Sequence, residues 1–394
     1  MKRNGKSAIR FVALLGAVSL FADMTYEGAH SITGPFLSLL GAGAAAAGAV
    51  AGLGELAGYG LRLLSGHLAD RTGRYWLITI AGYSLNLLAV PLLALAGRWE
   101  AAAFLIVLER LGKAVRTPAR DAMLSHATLQ LGRGWGFALH EAMDQIGALL
   151  GPLIVSLVLY LRSGAYRESF AVLLLPAAIA LGLLFAARAQ YPDPAAWEPP
   201  AEEEKEKEKS ANEKFPRSFW LYIAFSALSV GGFAHFQLIS YHLKRQAVVP
   251  DAHIPILFAI AMGVDALFAL VAGRLYDKTG LAFLLAVPVL TLPVSFLVFS
   301  NTFFSVLAGM VLWGAVMGMQ ETVMRAAVAE MAPGGRRGFA YGVFNTAYGG
   351  SWFLGSLAMG ALYGLSVRHI AFFSAALELA CVPFLLQAAR KAHQ

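Results

Sequence analysis

SGHLADRTGR, residues 65–74, is a short charged segment between two long apolar stretches of the chain. A run rich in Gly and Ala (41–64) precedes it, and the apolar run YWLITIAGYSLNLLAVPLLALA (75–96) follows it. A second segment, AGRLYDKTG at 272–280, nearly repeats it, and five of its residues match at a spacing of 207. The matching residues of the first copy are Gly66, Leu68, Asp70, Thr72 and Gly73. The repeat indicates two copies of one arrangement of apolar segments.

The composition indicates a membrane protein. Hydrophobic residues make up 58% of the 394 residues and charged residues 14%, whereas soluble domains carry about 25% charged residues. Repeated apolar runs of about 20 residues predict membrane-spanning helices, and they lack the alternation of a membrane β-barrel. The net charge of +7 comes from basic residues between these runs, which favours membrane orientation over nucleic-acid binding. A single cysteine, Cys381, excludes a disulfide framework and a thiolate metal cluster.

Apolar periodicity predicts an all-α membrane protein with twelve transmembrane helices in two pseudo-symmetric six-helix bundles. The predicted spans are 9–37, 44–65, 75–96, 101–124, 135–161, 169–187, 219–243, 254–276, 281–299, 303–329, 339–365 and 370–389. Residues 191–216 are rich in Pro, then in Glu and Lys, and such a segment predicts a solvated linker. The predicted domains are therefore 1–190 and 217–394, joined by this linker. A weaker similarity between 133–151 and 337–355 supports two halves of like topology, as in parallel-repeat transporters.

The distribution of basic residues predicts the orientation. Arg71 and Arg74 follow the second span, and Arg336 and Arg337 precede the eleventh. The connections between the first two spans and between the ninth and tenth contain no basic residue. We therefore expect both termini to be cytoplasmic, in a multi-pass protein of the inner or cytoplasmic membrane.

GHLADRTGR resembles the cytoplasmic signature loop of the major facilitator superfamily, Gly-x-Leu-Ala-Asp-Arg-x-Gly-Arg. The resemblance extends over the chain, because it includes the twelve spans, the central linker and the degenerate second copy. It implies a cytoplasmic gate between the halves, made by Gly66, Asp70, Arg71, Gly73, Arg74, Asp277 and Lys278. The alternative for this loop is a topological anchor. Residues 110–124 and 318–331 resemble a prokaryotic efflux subgroup that includes fosmidomycin-resistance-type proteins.

The fifth span contains Gly147, Gly151 and Pro152 in the order GxxxGP. This is similar to the core of a longer glycine-and-proline pattern in superfamily members that export a compound in exchange for protons. Leu153 and Ile154 follow it here, where the family pattern has two small residues. The resemblance favours export, although small residues four apart also mark close helix packing alone.

Ionisable residues inside the spans are candidates for function, because burying them in a bilayer is costly. Asp23, Glu27 and His30 share one face of the first span, with Tyr26 beside them. A buried carboxyl is favoured in its neutral form, and two carboxyls one turn apart resist double ionisation, which makes a proton-binding site. The alternative is a structural hydrogen-bond network with basic residues of the fourth span. Further candidates for proton coupling or the substrate cavity are Glu55, Glu109, Arg110, His140, Glu141, Asp144, His235, Asp265, Glu321, Arg325, Asn345 and Tyr348.

The motifs favour a transporter over an enzyme. The chain contains no GxxxxGK[ST] loop, GxSxG, HExxH or CxxC motif, so ATP hydrolysis and common hydrolase or redox sites are not predicted. We expect proton-coupled export of a small molecule by alternating access, by a monomer in the lipid bilayer, with no cofactor, no resident metal and no nucleic-acid partner. The alternatives are uptake of a nutrient or organic ion, export of a divalent metal ion, and a membrane-embedded receptor or enzyme.

Overall fold

The computed structural model describes residues 5–128, 133–193, 215–331 and 337–392, and within these it contains helices and no strand. The predicted all-helical class is confirmed. Short 3-10 segments lie at Leu93–Leu95 and Gly280–Leu285. The α-helices are α1 (Gly5–Leu39), α2 (Ala44–Thr72), α3 (Tyr75–Leu92), α4 (Trp99–Thr128), α5 (Arg133–Leu161), α6 (Tyr166–Val172), α7 (Leu174–Gln190), α8 (Arg217–Gly232), α9 (Phe236–Arg245), α10 (His253–Thr279), α11 (Ala286–Val298), α12 (Phe303–Met331), α13 (Arg337–Tyr363) and α14 (Val367–Ala392).

These helices correspond to the twelve predicted spans when two of the spans are each counted as a pair of shorter helices. The sixth span is formed by α6 and α7 and the seventh by α8 and α9. Eight stretches of the described residues are long and apolar enough to cross a membrane, and one of them contains both α10 and α11. The helices outside this set are α2 and α4, which carry charged residues, and α13, which is rich in Gly and aromatic residues.

The two copies of the charged segment have the same local backbone. Gly73, after α2, has φ +64°, and Gly280, after α10, has φ +61°. This left-handed conformation favours glycine, because a Cβ would be strained there. The hydroxyls of Thr72 and Thr279 each donate to the carbonyl four residues earlier, at 2.7 and 2.8 Å. The sequence repeat is therefore also a repeat of helix-ending geometry.

The chain packs into two compact units. In the first, α1 packs against α4, α5 and α7, and α3 packs against α4. In the second, α8 packs against α13 and α14, and α11 packs against α12 and α14. The predicted linker and domain boundaries stay a prediction, because residues 194–214 lie outside the described residues. The first unit consists of Met1–Ala42, Ala57–Pro199 and Pro250–Ala259, and the second of Gly43–Leu56, Pro200–Val249 and Ile260–Gln394.

Candidate functional site

The ionisable face of α1 meets basic residues of α4, as the helical spacing predicts. Glu27 lies 3.4 Å from His30 Nδ1 on its own helix and 3.7 Å from Lys113 Nζ on α4. The Lys113 ammonium also stands 4.0 Å from the centre of the Tyr26 ring. Glu27 therefore has a cationic partner across the unit, and the lysine is held by a carboxylate and an aromatic face together.

Asp23 is the buried member of this face. Its side chain is 6% exposed, and Oδ1 has no hydrogen-bond partner among the described residues. Lys113 and Arg116 are the cations that interact with it. Arg116 is 1% exposed, and its guanidinium lies 4.2 Å from the centre of the Tyr83 ring. Its Nε and Nη1 also lack hydrogen-bond partners in the described part of the chain. Unsatisfied buried groups of opposite charge are suited to bind a proton, water or a polar ligand.

A second polar network, on α5, joins the first through Ser19 of α1. The Ser19 hydroxyl lies 3.0 Å from His140 Nε2 and 3.2 Å from the Tyr83 hydroxyl, and it accepts a hydrogen bond of 3.0 Å from Arg120. Asp144 Oδ2 lies 3.4 Å from His140 Nδ1 and 3.9 Å from Arg120 Nη1. His140 and Asp144 of α5 are therefore connected, through Ser19, to the ionisable face of α1. That face, formed by Asp23, Glu27 and His30, is called the α1 cluster below.

The glycines of α5 bring this network close to Asp23. A Cβ at Gly147 would overlap the carbonyl of Leu20 and lie 3.0 Å from the Asp23 Cβ. A Cβ at Gly151 would overlap the carbonyl of Met24 one turn later. Only glycine permits this approach of α5 to α1. As a result, Asp144 and Asp23 interact electrostatically.

A pocket within the first unit lies between α1, α3 and α4. On its α4 side, Glu109 Oε1 accepts a hydrogen bond of 2.6 Å from the Asn86 amide. Arg110 Nη2 lies 3.2 Å from both ring nitrogens of His30, and its Nε lies 3.5 Å from Glu109. The pocket thus combines an apolar wall with polar groups from α1 and charged groups from α4, as small-molecule sites do. Its lining residues are Tyr26, Ala29, His30, Thr33, Val90, Leu93, Ile106, Glu109 and Arg110.

In the second unit, the interruption between α8 and α9 positions His235. The backbone N–H of Gln237 donates to His235 Nδ1 at 3.1 Å, so the ring caps α9. Because Nδ1 is an acceptor, the proton of the neutral ring is assigned to Nε2. That nitrogen lies 3.3 Å from Glu55 Oε1, and the ring centre lies 5.2 Å from that of Trp352. Two separately predicted candidates, Glu55 and His235, are thus brought together.

The remaining cavity candidates are more scattered. Tyr348 is buried, and its hydroxyl donates to Gln320 Oε1 at 3.2 Å. Asp265 is buried against the backbone of α12, whereas Asn345 and Glu321 are half-buried. The last two candidates, Arg325 on α12 and Glu141 on α5, have exposed side chains.

The predicted gate residues lie at the ends of α2 and α10. Arg71, Arg74, Asp277 and Lys278 are exposed. A Cβ at Gly66 would contact Pro118 of α4 at 3.3 Å, so α2 and α4 approach closely there. The Asp70 side chain lies outside the described part of the chain, and its predicted role stays a prediction.

Sequence reasoning left Glu378 of α14 out of the candidates, although its side chain is fully buried. Ser229 of α8 donates to its carboxyl at 3.1 Å. The sequence does contain a signal for Glu378, because it is a single carboxyl in an apolar run. Asp265 was selected by the same criterion. Within the described residues, no group of three His, Cys, Asp or Glu side chains could hold a metal ion.

The sequence model of the Major Facilitator Superfamily matches residues 13–355 and 248–393 of the chain. An uncharacterized protein of Mycobacterium tuberculosis strain H37Rv is 43% identical over 377 residues, which is 96% of this chain and 92% of the relative. An uncharacterized MFS-type transporter of Methanocaldococcus jannaschii is 27% identical, over 92% of this chain and 91% of the relative.

Among solved structures, a mutant of the nucleoside transporter NupG superposes with a TM-score of 0.76. The superposition covers 95% of this chain and 99% of the other at 14% identity. The likeness concerns the fold, because identity at this level carries no information about substrate.

Proposed function

The chain belongs to the major facilitator superfamily and is a membrane transporter rather than an enzyme, and from this premise we propose that it exports a small molecule in exchange for protons. The proposed route is alternating access, in which two bundles rock about a central site. The proposed location is the inner or cytoplasmic membrane, with both termini cytoplasmic, and the proposed working unit is the monomer.

The observation that carries proton coupling is the buried Asp23 carboxyl. It is 6% exposed, and one oxygen lacks a hydrogen-bond partner among the described residues. Burial and the nearby Glu27 carboxyl favour its neutral form, whereas its neighbours Lys113 and Arg116 favour the ionised form. A carboxyl under such opposing influences can change protonation with a small change in its surroundings. A movement of α4 or α5 relative to α1 would supply that change.

Protonation of Asp23 would alter the balance of charge in the cluster. The neutral acid no longer compensates Lys113 and Arg116, so these cations become available to another anion or shift toward Glu27 and Asp144. A proton taken up on one side and released on the other would then drive the change of conformation. This order gives exchange, with a proton moving inward and the substrate outward.

The direction of transport is supported by α5. Gly147 and Gly151 pack directly against α1 beside Asp23, and their GxxxGP pattern is similar to the helix-five pattern of proton-exchanging exporters. The resemblance of 110–124 and 318–331 to a prokaryotic efflux subgroup supports the same direction. The charged and aromatic pocket of α1, α3 and α4 supports a polar or amphiphilic small molecule as substrate.

The experiment that tests the proposal is a resistance screen. The parent, the Asp23→Asn variant and an empty vector are expressed in a sensitive host that is exposed to panels of drugs and metabolites. We expect the parent to raise tolerance to at least one compound and Asp23→Asn to lose this effect at equal membrane levels. Greater sensitivity on expression of the parent would indicate uptake and would contradict export.

A further inference from the structure

Glu378 occupies a closed polar site in the second unit, separate from the α1 cluster. The side chain is 0% exposed. Ser229 Oγ lies 3.1 Å from Oε2 and 3.4 Å from Oε1. On the facing helix, a Cβ at Gly232 would lie only 3.0 Å from Oε1, so the last turn of α8 makes room for the carboxyl.

This site lies beside the interruption between α8 and α9. Phe233 leaves the helix with φ −88° and ψ 118°. Two carbonyls at the interruption have side-chain donors, because Ser374 Oγ donates to Gly232 O at 2.6 Å and Trp313 Nε1 donates to Ala234 O at 2.8 Å. The Glu378 carboxyl is therefore not needed to satisfy these two carbonyls, although any bending at the interruption would change its surroundings.

No cation compensates Glu378 within the described residues. Its recorded partners are Ser229 and, on its own helix, Cys381, whose Sγ lies 3.9 Å from Oε2. Cys381 is also the titratable group that interacts with it. The basic residues of α14 are Arg368, His369, Arg390 and Lys391, and each lies nine or more positions from Glu378, which is about 14 Å or more along the helix.

The described side chains of the helices packed against α14 supply no charge to the carboxyl either. The sequences of α11 and of the 3-10 segment Gly280–Leu285 contain no ionisable residue. The described ionisable side chains of α8 (Arg217, Tyr222) and of α13 (Tyr341, Tyr348, Tyr363) do not interact with the carboxyl. An ionised carboxylate in such surroundings would be strongly unfavourable.

We propose that Glu378 is a second proton-binding site, occupied in this conformation and emptied when the α8–α9 interruption opens it to water. In the occupied form, one carboxyl oxygen carries the proton while the carboxyl accepts from Ser229. On opening, the O–H bond breaks, the proton passes to water, and the carboxylate is hydrated. Any part that Glu378 plays in transport depends on the proposed proton coupling. Binding of a proton by Glu378 does not, because it is a property of this geometry alone.

The direct test is infrared difference titration of the full-length protein in liposomes, which needs no substrate. Parent protein shows a C=O band of a protonated carboxyl in an apolar site, and the band declines as pH is raised. Glu378→Gln removes the band, and Ser229→Ala shifts it to higher frequency because the hydrogen bond is lost. The control Glu100→Gln, which changes an exposed carboxyl at the start of α4, leaves it unchanged.

The two proton sites are distinguished by Asp23→Asn in the same titration. Persistence of the Glu378 band in Asp23→Asn supports the second site whatever becomes of the first. If no component of the band is lost in Glu378→Gln and the whole band disappears in Asp23→Asn, the inference is overturned and the proposed function is left standing. Loss of the band on adding sodium at constant pH would identify a metal-cation site and also overturns it.

Discussion

Gly147 of α5 lies directly against Asp23 of α1, so that a Cβ at position 147 would come within 3.0 Å of the Asp23 Cβ. The contact joins a helix-packing motif to the most buried carboxyl among the described residues of the first unit. It also places the His140–Asp144 network next to the α1 cluster. The two candidate regions for proton coupling are therefore one region, and a change in α5 should be felt at Asp23.

We predict that Gly147→Val reduces transport strongly and lowers stability by about 1–3 kcal/mol, because the added side chain forces α1 and α5 apart. The matched control is Gly182→Ala on α7, where a Cβ would meet nothing within 4 Å. The measurements are thermal stability in detergent and flux in proteoliposomes. Parent-like stability and flux in Gly147→Val would show that the close packing is dispensable.

The pair of Glu55 and His235 yields a second prediction. Glu55→Gln keeps an acceptor for the His235 Nε2–H and should have a small effect on stability. Glu55→Leu removes that acceptor and should cost about 1–3 kcal/mol. Thermal unfolding of both variants in the parent and in the His235→Ala background forms a double-mutant cycle, and a coupling near zero would count against the hydrogen bond.

Much of the fold could be predicted from the sequence because apolar run length and the repeated loop are direct consequences of chain chemistry. Thr72 and Gly73 match Thr279 and Gly280 in sequence, and they match in hydrogen bond and φ as well. The interruption after Gly232 was not predicted, although the pair Gly231–Gly232 was a signal for it.

The site was less predictable, because partners across a bundle depend on helix rotation. The spacing of Asp23, Glu27 and His30 gives their shared face, but it does not give Lys113 rather than Arg110 as the partner of Glu27. Arg116 is not among the residues that the sequence selects, yet the structure buries it between Tyr26 and Tyr83. Such contacts require the packing of α1, α3 and α4 to be known.

The gate yields a third prediction, which rests on the sequence of the loop. Asp70→Ala should cut transport strongly while the protein remains folded and inserted, whereas Thr72→Ala in the same turn should have little effect on transport. Loss of a charge-assisted contact of about 1–3 kcal/mol shifts a balanced two-state equilibrium severalfold or more. Normal flux in Asp70→Ala would leave the loop as a topological anchor.

The orientation yields a fourth prediction. A reporter fused after Gln394 and a tag inserted at Ser210 should both be cytoplasmic, because the basic residues lie in the connections on that side. Both positions are outside the described residues. Protease protection in right-side-out and inverted vesicles measures the two sides, and an external signal at either position would require a different count of spans.

The central claim is that Asp23 couples protons to export, and it is tested most directly in proteoliposomes with an imposed pH gradient, using a compound found in the resistance screen. One pH unit supplies about 1.4 kcal/mol per proton, a concentration ratio of about tenfold. Parent protein and the control Glu100→Gln, an exposed carboxyl at the start of α4, should accumulate the compound to such a ratio. Asp23→Asn should retain equilibrium exchange without a gradient but lose accumulation, and Glu27→Gln should show a milder loss. Accumulation by Asp23→Asn equal to that of the parent would contradict the claim.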